Sequence, residues 1–160
     1  MLITLLRVAI EYGLCEMLNS KAIKPEMAPE DGKFNFDISK CESVLPGGTI
    51  DHNVEPIYKE MPKWEETVEE TVARFVQITM ALANKYPSEN LLLVTHAPGV
   101  FSIWSEMSGD TETKTHVDYC GYVHGRRPIY FGENQSFTTG PFEVVSQNGI
   151  IMKSTSLGKD

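Results

Sequence analysis

A helical pattern of apolar residues followed closely by a short apolar run limits the architectures open to this sequence. Apolar and small side chains recur every three or four residues from about Glu65 to Lys85, which predicts one long amphipathic helix. Thr67 or Glu66 is suited to begin this helix. After a turn, the continuous run Leu91–Val94 predicts a short strand buried on both faces, as in a parallel sheet covered by helices.

The segments after this strand extend the prediction to an α/β fold. A second helix is predicted over Val100–Met107, after the loop Thr95-His96-Ala97-Pro98-Gly99. Helix, buried strand, loop and helix in this order are typical of α/β architecture. Beyond this helix, β-rich stretches separated by Gly and Asn turns predict an antiparallel edge or hairpin, at 117–123, 128–131, 142–145 and 150–153. The Pro- and Gly-rich residues 19–58 predict a long loop with one short helix near 37–44.

Composition excludes several classes of protein. The 160 residues, 41% of them hydrophobic and 22% charged, can bury one core, which excludes a disulfide-stapled miniprotein and a wholly disordered chain. The net charge of −8 argues against a nucleic-acid partner, because contact with phosphates requires clustered Lys and Arg. No stretch approaches the roughly 20 apolar residues of a membrane span, so we expect no membrane partner. Three widely spaced cysteines without a CxxC pair favour a reduced, cytoplasmic protein.

His96 is the first candidate for chemistry. It follows a predicted buried strand and precedes a predicted helix, where α/β folds place their ligands. The alternative is a histidine that only caps the helix or packs there. Glu11 and Glu16 bracket a turn at Gly13 after an apolar run. A carboxylate there can serve as a general acid, with two solvent-facing acids as the alternative.

The other titratable residues give weaker signals. We expect His52, His116 and His124 to lie on the surface or to have ordinary polar partners. The cluster His124-Gly125-Arg126-Arg127 can hold a phosphate or can form a solvated strand end. No spacing of His, Cys, Asp and Glu predicts a metal site, and no nucleotide-binding glycine motif occurs, so we expect neither a metal nor a cofactor.

Three stretches taken in order carry a family pattern. They are Ile10–Glu16, Pro62–Thr67 with Arg74, and Leu91–Ala97. They resemble, in that order, a Glu-x-Gly-Leu-x-Glu segment, a Gly-Glu-Ser helix start followed by Arg, and the strand that delivers a second active-site histidine. Together they resemble the histidine phosphatase (phosphoglycerate mutase-like) superfamily, in the branch that contains the phosphatase domain of suppressor of T-cell receptor signalling proteins and its plant relatives. The resemblance spans most of residues 5 to 155 and implies a three-layer phosphoglycerate mutase-like α/β fold with a mainly parallel sheet.

The resemblance also implies a mechanism. In this family a histidine of an Arg-His-Gly motif on the first strand attacks the phosphoryl group, a second histidine and arginines hold the phosphoryl oxygens, and an acid protonates the leaving oxygen. It implies that His96 is the second histidine and Glu11 the acid. Thr95 and Ala97, on either side of His96, would then contact the substrate, a phosphorylated small molecule or a phosphoprotein. Glu66 and Arg74 would form a structural ion pair.

The departures from the family pattern change what we expect of this chain. Arg-His-Gly and the Ser-Pro-x-x-Arg motif of the family are both missing, and Glu65 replaces the glycine of Gly-Glu-Ser. We therefore expect residues 1–160 to be the C-terminal part of a single histidine phosphatase domain that lacks its first strand and does not turn over alone. The longer parent would hydrolyse phosphomonoesters through a phosphohistidine. The alternative is a catalytically inactive remnant that binds a protein partner, and unpaired sheet edges would favour a homo-oligomer.

Overall fold

The computed structural model describes residues 7–111 and 114–153. Three α-helices lie in these ranges: α1 (Ile38–Ser43), α2 (Val68–Lys85) and α3 (Ala97–Ser108). The described strands are β1 (Lys114–Arg126), β2 (Ile129–Phe131), β3 (Phe137–Thr139) and β4 (Glu143–Lys153). Short 3₁₀ helices occur at Tyr12–Leu14, Pro25–Met27 and Glu133–Gln135. The predicted short helix near 37–44 is confirmed as α1, and no described helix is long and apolar enough to cross a membrane.

Helix α2 begins at a capping box. The Thr67 hydroxyl accepts a hydrogen bond from the Glu70 amide at 3.1 Å, and the Glu70 carboxylate accepts one from the Thr67 amide at 2.7 Å. The apolar face of the helix forms the centre of the core, where Phe75 and Ile78 are fully buried. The helix predicted from the periodicity is therefore confirmed, with Thr67 as its N-cap.

Helix α3 packs closely against α2, and Gly99 makes this approach possible. A Cβ atom at Gly99 would lie 2.8 Å from the ring of Phe75 and 2.8 Å from the side chain of Thr95. The helix runs from Ala97 to Ser108, which confirms the predicted helix and extends it by one turn at its start. Trp104 on α3 is 3% exposed and completes the core.

Strands β1 and β4 form a long antiparallel pair, whose register runs from Lys114 opposite Lys153 to Arg126 opposite Glu143. The sequence predicted two separate strands at 142–145 and 150–153, and this was wrong because β4 continues through the intervening Gly. Gly149 has φ 71°, and a Cβ there would lie 2.9 Å from the Cα of Gly121. The glycine thus sits at an irregularity within the pair rather than in a turn. Strands β2 and β3 form a second, short antiparallel pair.

The predicted three-layer phosphoglycerate mutase-like fold with a mainly parallel sheet is wrong. The described strands form two small antiparallel sheets, β1–β4 and β2–β3. Residues 91–94, predicted as a buried parallel strand, form no strand, and Leu92 and Val94 are 77% and 79% exposed. The one parallel contact among the described residues is an isolated bridge between Val8 and Ile50. An apolar run does not specify its neighbours, and a strand is stable only where neighbours pair with it. The predicted absence of a first strand concerns the start of the chain, where residues 1–6 lie outside the described residues.

Candidate functional site

A buried ion pair lies at the start of α2. Arg74 Nη2 is 2.6 Å from Glu66 Oε1, and Arg74 Nε donates to Glu66 Oε2 at 3.1 Å. The two side chains are 4% and 7% exposed. The structural ion pair implied by the resemblance is therefore confirmed.

Both partners of this pair also bind the loop that contains the predicted acid. Arg74 donates to the backbone carbonyl of Gly13 at 2.7 Å and to that of Cys15 at 3.2 Å. Glu66 Oε1 accepts a hydrogen bond from the Leu18 amide at 2.8 Å. The pair therefore fixes the path of residues 13–18, which is a positioning role rather than a chemical one.

Glu11 connects two loops through its carboxylate. Oε1 accepts hydrogen bonds from the amides of Gly13 at 3.1 Å and Tyr58 at 3.0 Å, while Oε2 accepts one from the Ile57 amide at 2.6 Å. A carboxylate has about four lone-pair sites, so these three bonds leave one acceptor site open, on Oε2. In this arrangement Glu11 orders the backbone and keeps one site that can carry a proton.

His96 lies at the N-terminus of α3 with its side chain 52% exposed. Its Nδ1 is 3.1 Å from Glu16 Oε2, and its carbonyl accepts the first hydrogen bonds of the helix, from the Gly99 amide at 2.9 Å and the Val100 amide at 3.2 Å. A carboxylate at Nδ1 favours a proton on that nitrogen and leaves Nε2 for a ligand. The pair is thus suited to accept a proton at Nε2, and to hold an anion there once Nε2 carries a hydrogen.

Thr95 ties the same loop to the start of α3. Its Oγ1 donates to the Leu14 carbonyl at 2.8 Å, which uses the hydroxyl for structure. Ala97 is the first residue of α3 and is exposed. The structure therefore brings Thr95 and His96 against residues 14–16, whereas Glu11 and His96 share no hydrogen bond or ion pair.

The sequence predicted a general acid beside the Gly13 turn, at Glu11 or Glu16, and the structure makes Glu16 the partner of His96. Its other carboxylate oxygen accepts a hydrogen bond from the Met17 amide at 2.8 Å, which fixes the side chain. The signal was present, because the Glu-x-Gly-Leu-x-Glu pattern contains two acids. The spacing alone does not show which acid faces His96.

The arginines do not form a cluster at His96. Among the described residues, each of the four has a side-chain partner away from His96: Arg7 with Asp51, Arg74 with Glu66, Arg126 with Glu143, and Arg127 with Asn84. Arg74 also donates to the Glu16 carbonyl at 3.3 Å, but its side chain is 4% exposed and its five N–H donors are all used by Glu66 and by loop carbonyls, which leaves no donor for a phosphoryl group. Residues 7–111 and 114–153 also contain no group of three or more His, Cys, Asp and Glu arranged to hold a metal ion.

Cys15, although it lies within the same loop, is not suited to act as a nucleophile. Burial raises the pKa of its thiol to about 11, because the buried thiolate would lose its hydration. Its Sγ lies 3.4 Å from the Glu16 carbonyl.

The comparisons with known proteins add no relative. No protein-family model, no curated protein and no solved structure was found to match the chain. The resemblance described above therefore rests on the sequence stretches alone.

Proposed function

We propose that this chain carries the second-histidine and acid part of a histidine phosphatase-type site, whose substrates are phosphomonoesters. The main support for this proposal is that separate parts of the sequence meet in the structure. The three sequence stretches that resemble the family meet at residues 13–18, through the contacts of Arg74, Glu66, Thr95 and His96. These stretches are separated by up to about 80 residues in the chain, so their meeting is not a consequence of local sequence.

A backbone feature of the second stretch supports the same proposal. Glu65 has φ 61°, in the left-handed region that favours glycine. The family has glycine at this position, in its Gly-Glu-Ser motif. The requirement for a left-handed residue immediately before Glu66 gives a physical reason for that glycine, and this chain meets it with a strained residue instead.

The proposed roles follow from the contacts. His96 holds a phosphoryl oxygen or moves a proton at Nε2, and Glu16 positions its ring through Nδ1. Glu11 donates a proton to the leaving oxygen, as the resemblance implies, from the Oε2 site that its three backbone donors leave open.

We also propose that the 160-residue chain does not hydrolyse phosphomonoesters alone. Phosphohistidine formation requires a histidine held beside arginines, and no Arg-His-Gly occurs in the sequence. His52 and His116 lie beside carboxylates instead, at 3.5 Å from Glu42 and 3.3 Å from Asp118. Three free, unpaired cysteines agree with a reducing, cytoplasmic location.

The first experiment tests the proposed enzyme. The transcript is sequenced upstream of the codon for Met1, and any open reading frame that continues into the 160 residues is expressed together with them. We expect that frame to contain Arg-His-Gly and the longer chain to hydrolyse p-nitrophenyl phosphate. His96→Ala should lower its kcat by roughly 100-fold or more, and His124→Ala, an exposed histidine on β1, should leave it unchanged. A longer chain without Arg-His-Gly, or an active one indifferent to His96→Ala, would contradict the proposal.

A second candidate function is protein binding through residues 91–94. Leu92 and Val94 are exposed, and the segment pairs with no strand in the described part of the chain. Such a segment favours pairing with a strand of another copy. Size-exclusion chromatography with light scattering should show a dimer that Leu92→Lys converts to monomer. Val44→Lys, at a residue 81% exposed elsewhere, is the control and should leave the dimer intact.

A further inference from the structure

The two connections that join the β1–β4 pair to the β2–β3 pair lie side by side and form an open notch of about 450 Å³. It is lined by Arg126, Arg127, Pro128, Pro141 and Glu143. The Gly140 amide donates to the Pro128 carbonyl at 3.0 Å, and a Cβ at Gly140 would lie 2.5 Å from the Pro128 ring. Close packing and two prolines therefore hold the notch in a fixed shape without a ligand.

The charges in the notch do not cancel. Arg126 Nε donates to Glu143 Oε1 at 2.6 Å, so this pair is neutral overall. Arg127 donates from Nη2 to the neutral amide oxygen of Asn84 at 2.7 Å and lies 4.9 Å from the centre of the Phe142 ring. Among the arginines of the described chain, Arg127 is the one without a carboxylate partner. The notch therefore carries a net charge of one positive unit.

The surroundings of Arg127 make this charge available to a ligand. Burial lowers the pKa of the Arg127 guanidinium, because part of its hydration is lost. A guanidinium has five N–H donors, and the contact with Asn84 uses one nitrogen, which leaves donors that can form a fork. Phe142 and Asn84 hold the group in one orientation, so little conformational entropy is lost when an anion binds.

We propose that this notch binds a carboxylate whose apolar part lies against Pro128 and Pro141. A carboxylate carries one negative charge, which matches the net charge of the notch, and its two oxygens match the guanidinium fork. A phosphate dianion would carry excess negative charge next to Glu143. The site shares no residue with the proposed site at His96, so either can fail without the other. The carboxylate can come from a small molecule or from a polypeptide C-terminus.

The test is an NMR titration of the Arg127 Nε–H signal in the full 160-residue chain. The probes are benzoate for a small molecule, N-acetyl-phenylalanine for a polypeptide C-terminus, benzamide as the neutral match of benzoate, and inorganic phosphate. We expect saturable shifts with one or both carboxylates, no shift with benzamide, and weaker binding of phosphate. The tighter of the two carboxylates identifies the source of the ligand.

Two variants of opposite effect make the result decisive. Arg127→Gln, followed through the backbone amide signals of residues 127 and 140 in both proteins because the Nε–H signal is lost, should weaken binding by roughly tenfold or more, since it removes a charged donor. Glu143→Gln keeps the shape, removes the competing carboxylate and should strengthen binding several-fold, a gain that an unfolded variant cannot mimic. Equal shifts with benzoate and benzamide, no saturable shift with either carboxylate, or unchanged or weaker binding by folded Glu143→Gln would overturn the proposal.

Discussion

Arg74 and Glu66 approach to 2.6 Å in a position where 4% and 7% of their side chains are exposed. Their remaining hydrogen bonds go to the backbone of residues 13–18, which links the first turn of α2 to the loop that precedes it by about 50 residues. One charged pair thus fixes both the helix start and the loop beside His96.

The loss of Arg74 should destabilise the protein strongly. Arg74→Met leaves the Glu66 carboxylate buried without its partner, so we expect the free energy of unfolding to fall by about 3–5 kcal/mol. Urea denaturation followed by circular dichroism measures this. Glu55→Gln is the control, because it breaks a surface ion pair with Lys59 whose length, 2.8 Å, is similar. This variant should leave the urea midpoint unchanged. Equal midpoints for the two variants would contradict a structural role for the buried pair.

The backbone at Glu65 should be relieved by glycine. Its φ of 61° is strained for a residue with a Cβ, so Glu65→Gly should raise the free energy of unfolding by about 0.5–1 kcal/mol. Glu69→Gly lies four residues further, within the first turn of α2, and should lower it by about 1 kcal/mol. Thermal unfolding of both variants therefore has to give shifts of opposite sign, and a loss of stability in both would show that Glu65 is not strained.

The contact between α2 and α3 should not tolerate a methyl group at Gly99. Gly99→Ala places a Cβ 2.8 Å from Phe75 and Thr95, so the helices must separate, at a cost of about 1–3 kcal/mol. Gly47→Ala is the matched control, because a Cβ there meets nothing within 4 Å. Chemical denaturation should show a lower midpoint for the first variant and an unchanged midpoint for the second. A tolerated Gly99→Ala would mean that α3 packs elsewhere.

The cysteines should differ in their reactivity toward iodoacetamide. A thiol with a pKa of about 11 is deprotonated in only about 0.1% of molecules at about pH 8, so Cys15 should react slowly while exposed Cys120 reacts fast. Because only the thiolate reacts, labelling of Cys15 should increase as the pH rises toward 11. Peptide mass spectrometry after timed labelling measures both rates. Fast labelling of Cys15 at about pH 8 would contradict its burial.

The helices could be predicted from the sequence because their signals are local. The capping-box residues Thr67 and Glu70 lie three positions apart in the sequence. Apolar residues, among them the buried Phe75 and Ile78, recur at the helical period. The prediction of a strand at Leu91–Val94 was wrong because strand pairing is not a local property. Its apolar run shows that burial is possible, whereas pairing depends on neighbours that the run does not encode.

The candidate site could be predicted in part. The positions of His96 and Glu11 at the ends of predicted elements singled out two loops that the structure brings together, and the ion pair of Arg74 with Glu66 was implied by the resemblance. The carboxylate that faces His96 could not be identified, because the choice between Glu11 and Glu16 depends on the turn at Gly13 and on the amides of residues 57 and 58. Contacts between loops distant in sequence are set by the fold as a whole.

The most direct test of the account is a turnover measurement on the purified 160-residue chain with p-nitrophenyl phosphate and a small panel of phosphomonoesters. We predict no hydrolysis above that of the His96→Ala variant, because the sequence contains no Arg-His-Gly nucleophile motif and the arginine next to Glu16, Arg74, is buried and bonded to Glu66 and to loop carbonyls. Hydrolysis that His96→Ala abolishes would contradict it, and would mean that another residue of this chain attacks the phosphoryl group.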